Sequence, residues 1–452
     1  MFFSLYFLYN IAVEWLKNAR ISLTDVLLSI YIIAFPFHRS VWKLPFFQEK
    51  IQPAELFLGL LVLYGLFLIF SSRVKFWFSP FDIPVLLWLS ANLISNAFTG
   101  FDRHLVLETT KVLAVVLVYF VFRLLLTDRF LSKLTDIVLF STLIASLLAI
   151  LGSTLSAFGI QTEWVAQMQA YPYIGKIGRA MAFTSTPNML GSILMTALLL
   201  KAAQLFKRKA VKKWEIFVLA VCLLAFFAAV SKTILCFLLG LFSIALLVAG
   251  KRSFSFKFFV ALAMVFLALV YLVGSHFMFV SALTPQLLDS MQQGHVTRVY
   301  HKLGPLLVVE TSYMTIKRSC LYMLKQSFPW GIGTRNFKAQ VPRLKEKGIY
   351  NQETKPFDPH CTPLGTLTEL GILGGIILVI LYLQIGRGLL AIYRNKSYMF
   401  HYINTGIIAI FLALSLEGWV TDIMNFRHYW LLLGVLAYMT RQAAKRGVAP
   451  NL

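Results

Sequence analysis

The stretch WEIFVLAVCLLAFFAAV, Trp214 to Val230, decides the fold. After Glu215 it carries no charge, and its apolar residues run on without the polar alternation of a membrane β-strand. A bilayer core about 30 Å thick takes roughly 20 apolar residues per helical crossing. In hydrocarbon each backbone N–H and C=O must be satisfied within its own segment, so such a run is read as a helix.

Working outward, similar runs recur along the whole chain. Of its 452 residues 58% are hydrophobic and 13% charged, and the mean hydropathy of +0.74 excludes an ordinary soluble fold. Spans are predicted near 21–37, 54–71, 78–96, 108–126, 133–155, 181–204, 214–230, 234–249, 255–274, 361–386, 400–421 and 428–440. The expectation is an all-α polytopic membrane protein of about twelve helices. Residues 1–20 are apolar but have no basic leader and no cleavage site, and Glu14 and Lys17 close the run, so an interfacial segment is expected there.

The 42 Lys and Arg against 19 Asp and Glu would suggest nucleic acid in a soluble protein. Here the excess follows topology. KNAR (17–20), SSRVK (71–75), TDRFLSK (127–133), KRKAVKK (207–213), KRSFSFK (251–257), RGLLAIYRNK (387–396) and RQAAKR (441–446) are short, basic and fall on one side of the predicted spans. The positive-inside rule makes that side cytoplasmic, with both termini there and residues 441–452 a tail. No nucleic-acid partner is expected.

On the other side only residues 275–360 form a long connection, between the ninth and tenth helices. Eleven basic side chains face five acidic ones in it, a net of +6. A loop of this length escapes the positive-inside rule, so its charge suits an anionic ligand. SYMTIKRSCLYMLKQSF (312–328) has helical spacing, with Lys317, Arg318 and Lys325 on its polar side, and is expected to lie on the membrane and present those cations to headgroups. Pro329 stops it, and Gly331 and Gly333 make a tight turn before Asn336. Cys320 and Cys361 are within reach of each other through the long loop, which leaves both a disulfide and two free thiols open; Cys222 and Cys236 lie in apolar runs.

GRAMAFTSTPN (178–188), PWGIGTRNF (329–337) and PHCTPLGTLTELGILGG (359–375) occur in this order, all on the outer side of the predicted topology. Together they resemble the signature of the O-antigen ligase and O-antigen polymerase superfamily: a loop arginine before a Pro-Asn helix start, a GxGxxNF turn after a proline, and a histidine opening a helix with ExGxxG. The resemblance implies a GT-C-type, metal-independent glycosyltransferase in the bacterial inner membrane, with its active face periplasmic. Its partners would be an undecaprenyl-diphosphate-linked glycan donor, a lipid A-core acceptor and membrane lipid, and it needs no cofactor. By position, His360 matches the catalytic histidine and Arg179 the arginine of the earlier loop. The pattern has a further arginine ahead of the GxG turn; Arg318 stands nearer Pro329 than the pattern has it, and Arg298 farther. Ser231-Lys232 replaces the usual Ser-Arg, keeping a cation without the bidentate fork.

The residues themselves fit this chemistry. A lipid diphosphate leaves only if its developing charge is stabilised, and fixed cations such as Arg179, Lys232, Arg298, Lys317, Arg318 and Arg335 can do so. The acceptor hydroxyl needs a base, and an imidazole titrating near about 6.5, raised by Asp358 and lowered by cations, suits that task. Asn336 in the turn and Glu369 in the tenth helix complete the expected set. Glu369 and Glu417 are acids in apolar surroundings, expected to act in the site or to pair with Arg427 or Lys232. His38, His104, His295, His301 and His428 are expected at the surface, and Asn188 as a helix-start residue. No acidic or histidine group has metal-ligand spacing on the outer face, so no metal is expected.

A short second loop at 156–180, with only Lys176 and Arg179 as cations, favours a ligase over a polymerase, which tends to carry two substantial outer loops. A secondary anion transporter would show inverted repeats. The breaks at Pro36 and Pro187 do not correspond, which argues against it.

Overall fold

A computed structural model describes residues 22–38, 42–43, 50–100, 102–160, 164–171, 175–206, 211–248, 278–292, 294–394 and 401–445. Within them the helices are α1 (Leu23–Ala34), α2 (Pro53–Phe70), α3 (Asp82–Thr99), α4 (Arg103–Leu125), α5 (Asp128–Ala157), α6 (Pro187–Leu205), α7 (Lys213–Ala228), α8 (Thr233–Val248), α9 (Pro285–Gln292), α10 (Ser312–Ser327), α11 (Phe337–Glu346), α12 (Thr362–Arg394), α13 (His401–Glu417) and α14 (Arg427–Lys445). Five are long and apolar enough to cross a membrane: α2, α4, α5, α6 and α12. Helices α1 and α8 and the stretch Tyr402–Glu417 are apolar but shorter. The predicted interfacial segment at 1–20 and the predicted span at 255–274 lie outside the described residues.

Helix α6 sits at the centre. Thr186 accepts a hydrogen bond from the Met189 amide, Pro187 takes the first turn where its missing N–H costs nothing, and the helix is then buried on nearly every side. It packs on α5, α8 and α13, while α14 packs along α4. One large apolar core runs through these helices. Leucines and phenylalanines on the outer faces of α2 and α7 stay exposed, as lipid-facing positions do.

The fold is not wholly helical. Strands β1 (Trp42–Lys43) and β2 (Lys50–Ile51) pair, and β3 (Ala166–Tyr171) with β4 (Gly175–Ala180) turns the short second loop into a hairpin. The long loop contains an antiparallel sheet of β5 (Met278–Ala282), β6 (Val296–Leu303) and β7 (Leu306–Thr311), in the order β5-β7-β6. Helices α10 and α11 bury Ile316, Cys320, Phe337 and Val341, with Tyr350 beside them, in a second small core against which Leu364 of α12 also packs.

Helix α12 is broken at Gly371, whose φ of 66° and ψ of −161° only glycine adopts readily. The break receives the PWGIG turn. The Ile372 amide donates to the Pro329 carbonyl at 2.9 Å, Ile332 N to Thr368 O at 3.1 Å, and Gly333 N to Glu369 O at 3.0 Å. A Cβ at Gly371 would strike the Pro329 carbonyl, and one at Gly331 the Glu369 carbonyl. These contacts explain why the two motifs, 30-odd residues apart, carry their glycines where they do.

Candidate functional site

The first half of α12 is entered through His360, which has a φ of 47°. Lys317 on α10 holds it there: its Nζ donates to the carbonyls of Pro359 at 2.9 Å and His360 at 2.8 Å. Lys317 therefore does not lie on a membrane-facing polar side as its spacing predicts. It is buried, and burial pushes its ammonium down from the ordinary lysine range. Helical periodicity identified the face but not what covers it.

The His360 ring is partly buried between two aromatics, edge-on to Tyr313 at 5.5 Å and tilted against Phe357 at 5.6 Å. Lys232, at the start of α8, places its Nζ 5.0 Å over the ring of Tyr313. Desolvation lowers the His360 imidazole to about 4; Asp358 opposes this, while Lys317 and Lys232 reinforce it. Lys232 is itself lowered to about 8 by burial and by Arg179. The sequence-based expectation of a histidine titrating near 6.5 is thus corrected downward, because removal from water outweighs the exposed Asp358.

Arg179 is the penultimate residue of β4 and is only 8% exposed. Its Nε donates to the Ala229 carbonyl at 3.0 Å, Nη1 to Gln169 Oε1 at 2.6 Å and Nη2 to Asn188 Oδ1 at 2.9 Å. Asn188 is more than a helix-start residue, since it also accepts from Ser231 at 3.1 Å. The network then runs inward. Ser231 and Thr233 share a 2.7 Å hydrogen bond, Thr233 donates to Glu417 at 3.1 Å, and Ser192 joins Glu417 (2.7 Å) to His428 Nε2 (2.9 Å). Glu417 therefore pairs with hydroxyls rather than with Arg427 or Lys232; Arg427 is taken by Glu55 at 2.9 Å. His428, expected at the surface, is 2% exposed and stacked on Phe426.

A second polar cluster lies under the PWGIG turn. Arg335, with a φ of 51°, donates to Glu108 at 3.3 Å, and among the described residues its Nε finds no hydrogen-bond partner. Glu369 Oε1 accepts from the Phe337 amide at 3.4 Å, and just before α11 begins the Asn336 side-chain amide donates to the Ile332 carbonyl at 2.8 Å. Arg335, Glu369 and Asp422 line one cavity of about 30 Å³. Asp422, which sequence reasoning missed, accepts from Thr362 at 3.3 Å and Asn425 at 2.6 Å. Burial raises it to about 6 against the pull of Arg335. Its only signal in the sequence was a lone acid in the short outer loop after the eleventh predicted span.

The remaining predicted cations are elsewhere. Arg318, one step round α10 from Lys317, has 46% of its side chain exposed and pairs with buried Glu310 at 3.1 Å. Arg298 faces Glu310 from β6 and lies over Tyr300 at 5.8 Å. The structure thus brings together His360, Lys232, Lys317 and Arg179, with Asp358 beside them, and sets Arg298 and Arg318 apart on the sheet side. Cys320 and Cys361 are both buried free thiols near Lys317, and burial pushes Cys320 up to about 12. Among the described residues no three His, Cys, Asp or Glu side chains gather at one point.

Residues 216–379, just over a third of the chain, match the family model described as O-antigen ligase. No curated protein matches the chain.

Proposed function

We propose that this chain, whose residues 216–379 belong to the O-antigen ligase and polymerase superfamily, transfers a glycan from undecaprenyl diphosphate to lipid A-core at the periplasmic face of the bacterial inner membrane. The observation that carries the proposal is the meeting of His360 with Lys232 and Arg179 across Tyr313. Three elements far apart in sequence put one neutral imidazole and two fixed cations on a single patch.

The neutral His360 accepts the proton of the acceptor hydroxyl as its oxygen attacks the anomeric carbon of the donor. The bond from that carbon to the diphosphate oxygen breaks, and the electron pair leaves with the diphosphate. Lys232 and Arg179 offset the developing charge in a poorly solvated place, where such contacts are worth most. Arg179 has three of its N–H groups committed, so its remaining donors point in a direction fixed by Gln169, Asn188 and the Ala229 carbonyl. Lys317 acts on the reaction as a positioning residue, through the backbone of His360, and its charge adds to the lowering of the imidazole.

The topology proposed with this reading has about twelve spans, both termini cytoplasmic and residues 275–360 as the periplasmic loop. A ligase is favoured over a polymerase because the second outer loop amounts to the single β3–β4 hairpin. Purified protein incubated with undecaprenyl-diphosphate glycan and lipid A-core tests this. A ligase gives one transfer to the acceptor, a polymerase a ladder on the donor, and an anion transporter neither.

A further inference from the structure

One cleft among the described residues plays no part in the mechanism above. It encloses about 500 Å³ between the outer end of α3, helix α10 and helix α11. That volume is within the range of small-ligand sites. Phe98 and Trp330 form one wall, stacked at 3.7 Å with planes 11° apart. Buried Met323 and Ile332 lie at its base. The rim is polar: Gln326, Gln340, Arg343 and Lys347. Arg343 and Lys347 stand one helical turn apart and are both exposed. Lys347 lies 5.8 Å over the ring of Tyr322. Among the described residues neither has a carboxylate partner within ion-pair distance, whereas Arg318, Arg335 and Arg427 each have one.

A flat aromatic wall, two amides and a pair of cations without a carboxylate partner among the described residues together suit a sugar that carries phosphate. The ring face that the stack leaves open to the cleft takes the apolar C–H face of a pyranose, the amides its hydroxyls, and the cations its phosphate. A groove meant only for acyl chains needs neither the amides nor the cations. The cleft is also rigidly tied to the reacting patch. Its Ile332 is hydrogen-bonded to Thr368 of α12, the helix that His360 opens, and α10 contributes Lys317 to one side and Met323 to the other. From Lys317 to Met323 is about 9 Å along a helix rising 1.5 Å per residue, the length of about two sugar units.

We propose that this cleft is the acceptor subsite, holding a phosphorylated sugar near the lipid end of the acceptor glycolipid so that a sugar farther along reaches His360. The proposal rests on the transferase reading and deepens it. Donor diphosphate and acceptor phosphate are then bound by different cations, Lys232 and Arg179 for the first and Arg343 and Lys347 for the second.

The test uses full-length His360→Ala protein in zwitterionic nanodiscs, so that binding is read without turnover. The probe is deacylated, phosphorylated lipid A-core oligosaccharide, compared with the same oligosaccharide after phosphatase treatment. The proposal expects the phosphorylated probe to bind about tenfold or more tightly than the treated one. Arg343→Gln with Lys347→Gln should erase that difference, and Trp330→Ala should weaken both probes. In otherwise wild-type protein the double change should raise the acceptor KM and leave kcat and the donor KM unchanged. Equal affinity for the two probes, or a wild-type acceptor KM in the double variant, overturns the subsite. So does full competition by phosphatidylglycerol in the nanodisc, which makes the cleft a lipid groove. If the probe binds as expected but wild-type protein transfers nothing, the transferase reading fails and the binding site stands.

Discussion

The pH dependence of transfer follows from two environments and can be worked through in detail. His360 is pushed down to about 4 by burial, and Lys232 down to about 8 by burial and Arg179. The base must be neutral and the phosphate cation charged, so kcat/KM should hold a plateau between the two values, falling on the acid side as His360 protonates and on the basic side as Lys232 loses its proton. At pH 5.5 a histidine of ordinary pKa would be about 9% neutral, whereas one near 4 is about 97% neutral, so the two cases differ by about tenfold in rate. The assay is initial-rate transfer from pH 3.5 to 9.5 under low donor concentration. Asp358→Asn removes the charge that raises His360 and should move the acid limb lower still. Lys232→Arg should abolish the basic limb, because a guanidinium keeps its proton throughout. An acid midpoint at or above 6.5 would refute the buried-base reasoning, and a basic limb unaffected by Lys232→Arg would remove Lys232 from leaving-group stabilisation. The same depressed pKa has a stability counterpart. Between the unfolded value of about 6.5 and the folded value of about 4 the unfolded chain binds a proton that the folded one does not. Stability therefore falls as pH drops through that window, by at most about 3 kcal/mol.

Lys317→Met leaves the carbonyls of Pro359 and His360 without their shared donor, at about 1–3 kcal/mol for a buried polar group left unmade; transfer should drop more than tenfold while binding of the donor is kept, and an unaltered kcat would show that Lys317 does not position His360. Arg179→Lys should be restored poorly, since three directed donors are replaced by a point charge; activity equal to wild type would reduce Arg179 to long-range charge. Ser192→Ala unlinks Glu417 from His428 and should lower thermal stability by about 1–3 kcal/mol, measured as the midpoint of unfolding in detergent; no shift would mean the network contributes nothing. EDTA should leave the rate unchanged if Lys232 and Arg179 carry the leaving-group charge, and a loss restored by Mg²⁺ or Mn²⁺ would overturn that assignment.

The helices were legible because unbroken apolar runs admit few other structures, and the start of α6 was legible in Thr186-Pro187. The break in α12 was not, although its cause is in the sequence: Gly371 alone looks like any glycine of an ExGxxG motif until the Pro329 carbonyl is placed against it. The hairpin β3–β4 and the sheet of the long loop lack the long alternation that marks strands, and their pairing is settled by partners remote in sequence. Of the proposed site, His360, Arg179 and Lys232 carry a signal in motif and predicted topology. Lys317 was found with the wrong partner, because periodicity groups residues on a face without saying whether water, lipid or protein meets it. Asp422 and the Ser192–Glu417–His428 link escaped altogether. Ser192 reaches partners 225 and 236 residues away, and nothing local announces such a contact.

The central claim is that His360 removes the proton from the acceptor. Its most direct measurement is single-turnover transfer from undecaprenyl-diphosphate glycan to lipid A-core by His360→Ala and wild-type protein, each first shown to unfold at the same temperature and to bind the donor equally. The account predicts that the variant retains donor and loses transfer by a factor of about 10²–10⁴, the usual range for a general base. Transfer by the variant at the wild-type rate would contradict it.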